Sequence, residues 1–260
     1  MALFVEGRLF AFAIIILVTA LGVWSLEQAK RGVVHQVRTL PGIEAIDEAV
    51  KRCVELARPV FFTSDHGGGG VYSDKGPAHM AAISILGMLA RSCARYGADL
   101  VTCHNHPEMV PLSEETVRQA YIMEGVPEQV KPEMFNFFAG EAFTPSYLGY
   151  LKRYNAGANI VVGPIWPSDG FQITEYGNYI GAIQIGGAIE ISAMAMLATT
   201  CDYIFIAEEL YVAGAYASED PIQLAVTYAA DLIKLGALIL MIAGIILSSV
   251  GVDLTRLWSI

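Results

Sequence analysis

The chain has 260 residues, 54% hydrophobic and 16% charged, against roughly 25% charged in an ordinary soluble domain. Its mean hydropathy is +0.48. A net charge of −10 argues against nucleic acid or anionic lipid headgroups as partners. Four scattered cysteines (Cys53, Cys93, Cys103 and Cys201) form no CxxC pair, which points to reduced, buried thiols rather than a disulfide framework.

Leu9–Leu26 is eighteen residues without a charge, with Trp24 near its end. That is close to the length a membrane-spanning helix needs, with an interfacial aromatic in place. The apolar run continues past Ala20, the weak cleavage position, so it reads as an uncleaved anchor. Leu235–Val252 is a second charge-free run of eighteen residues, containing the small pair Gly244 and Ser248. Lys30, Arg31 and Arg38 follow the first run and Lys234 precedes the second, while only Arg8 and Arg256 lie beyond them. The positive-inside bias then places the middle of the chain in the cytoplasm and both termini outside, a two-pass arrangement in the cell membrane. The expected organisation is an anchor over residues 1–28, a cytoplasmic domain over 29–231 and a second anchor over 232–260.

Between the anchors, Gly42–Arg58 predicts an amphipathic helix with early acidic residues. Val60–Thr63 reads as a strand, closed by Ser64-Asp65-His66 and the glycines Gly67, Gly68, Gly69 and Gly70. Pro77–Tyr96 has helical spacing and stops at Gly97. Ala98–Cys103 reads as a second strand, followed by His104-Asn105-His106-Pro107-Glu108. Strand, helix and strand in this order make a βαβ unit with a right-handed crossover. Ser113 reads as the N-cap of the next helix, which Gly125 ends. Val126–Leu148, with Pro127, Pro132 and Pro145, predicts an irregular packed segment.

Asn159–Val162 reads as a third strand, and Phe171–Tyr176 as a further short one. Ile180–Thr200 is apolar but holds Gln184 and Glu190. An acidic residue at the bilayer centre costs about 2.5–3.5 kcal/mol on insertion scales. A third span would also put the termini on opposite sides, so this run reads as a helix buried under the sheet. Asp202–Ala207 predicts a buried strand with Glu208 and Glu209 at its end. The fold class is α/β: a Rossmann-like, mostly parallel sheet with flanking helices, plus one transmembrane helix at each end.

In an open parallel sheet, ligands sit at the carboxyl ends of the strands. Three of the five histidines fall in the two loops there. Candidate ligand-binding residues are Ser64, Asp65, Gly67, Gly68, Gly69, Glu208 and Glu209. Candidate metal ligands are Asp65, His66, His104, His106 and Glu108, suited to zinc or another divalent ion. The glycine run offers backbone amides to an anion. It lacks a dinucleotide fingerprint and a Gly-Lys-Ser/Thr, so no cofactor is expected.

The segments Thr39-Leu40-Pro41-Gly42-Ile43, Ser64-Asp65-His66-Gly67, Cys201-Asp202-Tyr203 with Glu208-Glu209, and Ala215-Tyr216 resemble the domain-of-unknown-function family numbered 6754. The resemblance covers most of residues 5–250. It implies a prokaryotic membrane protein with two anchors around one α/β domain, and it transfers no catalytic residues. Separately, His104-Asn105-His106-Pro107 with Ser113 resembles the metal motif of the JAMM and RadC-type zinc proteins. One residue fewer than that motif requires separates His106 from Ser113, and Thr116 stands at its acidic position.

Three functions follow as expectations. The leading one is a structural or scaffolding membrane protein that sits in the lipid bilayer and self-assembles into a homo-oligomer. The second is a membrane-tethered metal-dependent hydrolase using His104 and His106. The third is a small-ligand or nucleotide sensor using Gly67–Gly70.

Overall fold

The computed structural model describes residues 9–32, 40–64, 67 and 69–249. The chain forms two compact units, Arg38–Ser218 and a second made of Met1–Val37 with Glu219–Ile260.

The first unit is a six-stranded sheet in the order β3-β2-β1-β4-β5-β6. Its strands are β1 (Val60–Thr63), β2 (Leu100–His104), β3 (Phe135–Phe137), β4 (Ala158–Val162), β5 (Ile183–Ala188) and β6 (Tyr203–Ile206). Every pairing is parallel. This is the doubly wound order, with its switch point between β1 and β4. Helices α2 (Pro41–Leu56), α3 (Gly76–Tyr96), α4 (Met109–Met123) and α8 (Glu209–Ser218) pack together on one face. Helices α5 (Phe143–Tyr154), α6 (Pro167–Tyr179) and α7 (Ile191–Thr200) cover the other. Side chains alternate across each strand. Phe61 and Cys103 join Phe143, Tyr147, Leu151 and Ile173 in the core under α5 and α6, and Phe62 points the opposite way. All of β4 is buried, as a central parallel strand must be.

Local signals explain most boundaries. Pro41 opens α2, and Ala57 closes it in the left-handed region at φ 51°. Gly97, at φ 73°, closes α3 at the expected place. Cys53 and Cys93 are buried on these helices. Burial pushes the Cys53 thiol up to about 12, and the Cys93 thiol higher.

Four expectations are corrected. The run 180–200 is not one buried helix: it is β5 followed by α7. Its small residues serve strand packing, since a Cβ on Gly186 would meet Cys201 Sγ at 2.6 Å and one on Gly187 would meet Phe205 at 3.1 Å. Phe171–Tyr176 is not a strand but lies within α6. Pro167 and Asp169 are a helix start rather than a turn, because proline is pre-set for the first helical position and an acid suits the first turn. Ser113 is not an N-cap: α4 begins at Met109, with Pro111 tolerated in its first turn, and Ser113 is fully buried inside it. The strand at 203–206 is an edge strand, with Tyr203 and Ile206 exposed, rather than a buried one. The irregular segment 126–148 holds three short 3-10 turns and the edge strand β3, and α5 begins within it.

A chain of buried amides crosses the sheet centre. Tyr147 OH donates to Asn159 Oδ1 at 2.7 Å, and Asn159 Nδ2 donates to Gln184 Oε1 at 2.7 Å. Gln184 Nε2 in turn donates to the Ala182 carbonyl at 2.9 Å. All three side chains are fully buried. The polar group that would be costly in a bilayer is thus satisfied inside the sheet.

The second unit pairs α1 (Leu9–Lys30) with α9 (Pro221–Ser249). Ser25 and Ala29 on α1 and Ala225 and Ala229 on α9 are buried. Ser25 Oγ donates to the Ala225 carbonyl at 2.6 Å. The helices therefore approach through two small-xxx-small pairs. Gly244 is half-buried and Ser248 exposed, so neither lies at this contact. Both helices are long and apolar enough to cross a membrane. Large apolar side chains such as Ile15, Leu17, Leu240 and Ile245 stand exposed on them. At 1.5 Å per residue α9 is about 44 Å long, more than the ~30 Å hydrocarbon layer. Residues 250–252 of the second apolar run lie outside the described residues.

Tyr147→Phe removes the donor to Asn159 Oδ1 while keeping the ring. A buried acceptor left unsatisfied costs about 1–3 kcal/mol. For a domain of this size that is a fall in Tm of roughly 2–10 °C, measurable by circular dichroism. An unchanged Tm would show that the amide chain does not hold the sheet centre.

Candidate functional site

The site is the carboxyl edge of the sheet, where the connections after β1, β2 and β4 meet. Asp65, His66 and Gly68 lie outside the described residues. Ser64, just past β1, and His104, at the end of β2, are both fully buried, with Ser64 Oγ 3.5 Å from His104 Nδ1. A working nucleophile–base pair sits at about 2.6–3.2 Å and is open to substrate. This pair is longer and closed in, so it reads as a structural contact between neighbouring strand ends.

The described glycines of the loop are where they are because no Cβ fits. A Cβ on Gly67 would lie 2.7 Å from the backbone of Pro164, in the connection after β4. Gly69 has φ +107°, and its Cβ would meet the Ser73 side chain at 2.8 Å. A Cβ on Gly70 would run into the Glu108 carboxylate. From the β4 side, Gly163 has φ +127°, and a Cβ there would strike the Ser64 carbonyl oxygen. The loop is therefore wedged between the connections after β4 and after β2, directly over the switch point.

Helix α3 does not open onto this loop. It begins at Gly76, after a turn in which Ser73 Oγ donates to the Gly70 carbonyl at 2.7 Å. The Gly76 amide donates to the Ser73 carbonyl at 3.1 Å, and the Ala78 amide to the Lys75 carbonyl at 2.9 Å. Pro77 has no N–H to offer. The first-turn amides that would hold an anion are thus already used.

Charge points the same way. The six connections at this edge carry Asp65, Asp74, Glu108, Glu141, Glu190 and Glu208 against a single cation, Lys75. Lys75 Nζ is bonded to the Glu190 carboxylate, joining the connection after β1 to that after β5. Tyr211 stands near Lys75; burial raises its phenol, and the ammonium lowers it in part.

His106 and Glu108 are half-buried. The His106 ring meets that of His79 edge-on, centroids 5.9 Å apart. His79 is fully buried in the first turn of α3, with Nε2 3.1 Å from the Gly69 carbonyl. That nitrogen carries a proton, since a carbonyl can only accept. Sequence reasoning missed His79 because it sits in an apolar helix. Its place three residues after the helix start was the available signal.

The other candidates do not join this cluster. Glu208 and Glu209 follow β6, four strand spacings from β2, or about 19 Å at 4.8 Å each. Glu209 Oε2 accepts the Ile206 amide at 3.1 Å, closing the strand end. Among the described residues no three His, Cys, Asp or Glu side chains converge as a metal site. Two fully buried hydroxyls have no hydrogen-bond partner among the described residues: Thr63 Oγ1, at the end of β1, which sequence reasoning missed, and Ser113 Oγ, on α4, which the sequence offered as an N-cap and beside the His104-Asn105-His106-Pro107 motif.

A family profile described as a domain of unknown function (DUF6754) matches residues 1–258, and the chain belongs to that family. No curated protein and no solved structure matches it.

The two glycines at the ends of the loop differ in what opposes them. Gly67→Ala meets backbone, which cannot swing away, whereas Gly70→Ala meets the tip of the flexible Glu108 side chain. Gly67→Ala should therefore lower the Tm of the purified protein clearly more than Gly70→Ala does. Equal effects would show that the loop is not wedged at Gly67.

Proposed function

We propose that this DUF6754 protein is a membrane-anchored structural protein whose α/β unit assembles with copies of itself. The observation that carries the reading is on α7. This helix has no charged residue in its ten positions and turns only Ala193, Leu197 and Thr200 inward. Ile191 is 83% exposed, and Met196 and the β6 residue Ile206, on the same side of the sheet as α7, are also open. Contiguous exposed apolar surface on a folded unit marks an interaction site. The wedged glycine loop and the neutralised lysine supply no counter-argument from catalysis.

The anchors are α1 and α9, with the lipid bilayer around their apolar faces. Lys30, Arg31, Arg38 and Lys234 lie between the two apolar runs in the sequence, and the positive-inside bias supports a cytoplasmic α/β unit with both termini outside.

A second reading, ligand or metal binding at the carboxyl edge, rests on the two unpartnered buried hydroxyls. Buried polar groups left unpaired concentrate at functional sites. On this reading Thr63→Val raises the Tm of the free protein, since an unsatisfied hydroxyl is removed, and abolishes any zinc found bound by elemental mass spectrometry. Zinc-free protein after growth with zinc available would sink its metal form.

The assembly reading is tested by light scattering on the full chain in detergent. A discrete multiple of 28.1 kDa, unchanged in high salt, is the expected result, because an uncharged contact is not screened. A monomer at all concentrations would overturn it. Fluorescent-protein fusions at either terminus should stay dark outside the cytoplasm, and bright ones would reverse the orientation.

A further inference from the structure

Two aromatic side chains at the carboxyl edge of the sheet lie open to solvent. Tyr72, in the connection after β1, is 93% exposed, and Trp166, in the connection after β4, is 50% exposed. Those connections approach each other at Gly67 and Pro164, so the aromatics stand on adjoining stretches of chain. Tyr72 is also on a held turn. Ser73 Oγ donates to the Gly70 carbonyl at 2.7 Å and accepts the Lys75 amide at 3.1 Å, and Lys75 is tied to Glu190. The backbone under the ring is already ordered, so covering it costs little further conformational entropy.

Charge surrounds these rings on one sign only. The connections after β3, β2, β1 and β4 carry Asp65, Asp74, Glu108 and Glu141. Lys75 is the only lysine or arginine among them, and its charge is met by Glu190. Helices also start at this edge, and an acid at a helix start is ordinarily a partner of the dipole. Glu108, the N-cap of α4, fits that account. Asp74 and Glu141 do not: they precede the caps of α3 and α5 and are exposed, so their charge faces solvent.

We infer that this edge docks a basic polypeptide segment of a partner protein, with arginine or lysine side chains spaced along it. An arginine can lay its guanidinium on an aromatic face while a carboxylate beside the ring meets its charge. Tyr72 and Asp74, on one turn, offer that combination. The inference makes no use of α7, so it stands or falls apart from the assembly reading.

Other occupants fit less well. A second copy on the same face sets carboxylates against carboxylates. Anionic lipid and nucleic acid are repelled in the same way. A small ligand prefers a concave site, and the crevice at the switch point is filled by the chain's own glycine loop. From β3 to β4 is three strand spacings, about 14 Å at 4.8 Å each, a width that a length of polypeptide covers and a small cation does not.

The test places the full chain in nanodiscs of phosphatidylcholine, which has no net charge, and titrates it into a fluorescein-labelled peptide of alternating arginine and alanine. Fluorescence anisotropy should show binding above that of empty nanodiscs and above that of a glutamate–alanine peptide. Tyr72→Ala with Trp166→Ala should weaken binding about fivefold or more. Asp74→Asn with Glu141→Gln should weaken it by a similar factor and flatten its salt dependence. Glu48→Gln with Glu55→Gln, which removes the same charge from exposed positions of α2, should leave it unchanged. The Tm of each variant should be kept, since all these side chains are exposed. Equal weakening by the α2 pair would show attraction to overall charge alone and overturn the inference. So would binding that survives the loss of both aromatics, or an arginine peptide that binds no better than the glutamate one.

Discussion

The interaction on which the rest of the α/β unit depends is the amide pair between β4 and β5. Asn159 and Gln184 are register partners on adjacent parallel strands, and each satisfies the other in a fully buried position. A slip of one residue would send Gln184 to the opposite face of the sheet and strand Asn159. Each amide left unpaired would cost more than the bond itself contributes. Hydrophobic contacts alone would tolerate such a slip better, because β4 and β5 are apolar on both faces. Tyr147 ties the same pair to α5, and a Cβ on Gly177 of α6 would strike the Gln184 amide. One polar chain thereby sets the strand register and the seating of two helices.

At the carboxyl edge, backbone approaches backbone, and the glycines follow from that. Gly163 against Ser64 and Gly67 against Pro164 bring the connections after β1 and β4 into direct contact. This is the place where doubly wound sheets usually keep a crevice. Here the chain's own loop is packed into it, and the only lysine of the edge is neutralised by Glu190. The fold is thus shared with many nucleotide-binding proteins while the site is built differently, which is why fold class alone carries no function.

The βαβ unit from Val60 to His104 was legible because its punctuation is local: Pro59 before, Gly97 at the helix end, turn residues after each strand. Two helices announced themselves less openly. Pro111 and Pro167 look like breakers, yet each lies in a first turn where no amide is lost. The run 180–200 was opaque for a deeper reason. Small residues that allow helices to pack also allow a strand to receive Cys201 and Phe205, and composition does not separate the two. Gln184 carried the missing information, but its partner Asn159 lies 25 residues earlier. At the site, the loops were placed correctly from sequence. What fills them was not, because His79 and the lysine–glutamate bond depend on which connections the sheet brings together.

The scarcity of charge acts differently in the two units. On α1 and α9 it leaves large apolar side chains exposed away from the contact through Ser25, Ala29, Ala225 and Ala229 among the described residues, on helices long and apolar enough to cross a membrane. On α7 and β6 the surface is uncharged but not long enough to span anything. The two edges of the same sheet differ: β3 is short and blunted by its own turns, whereas β6 has no outer partner strand among the described residues and leaves Ile206 exposed.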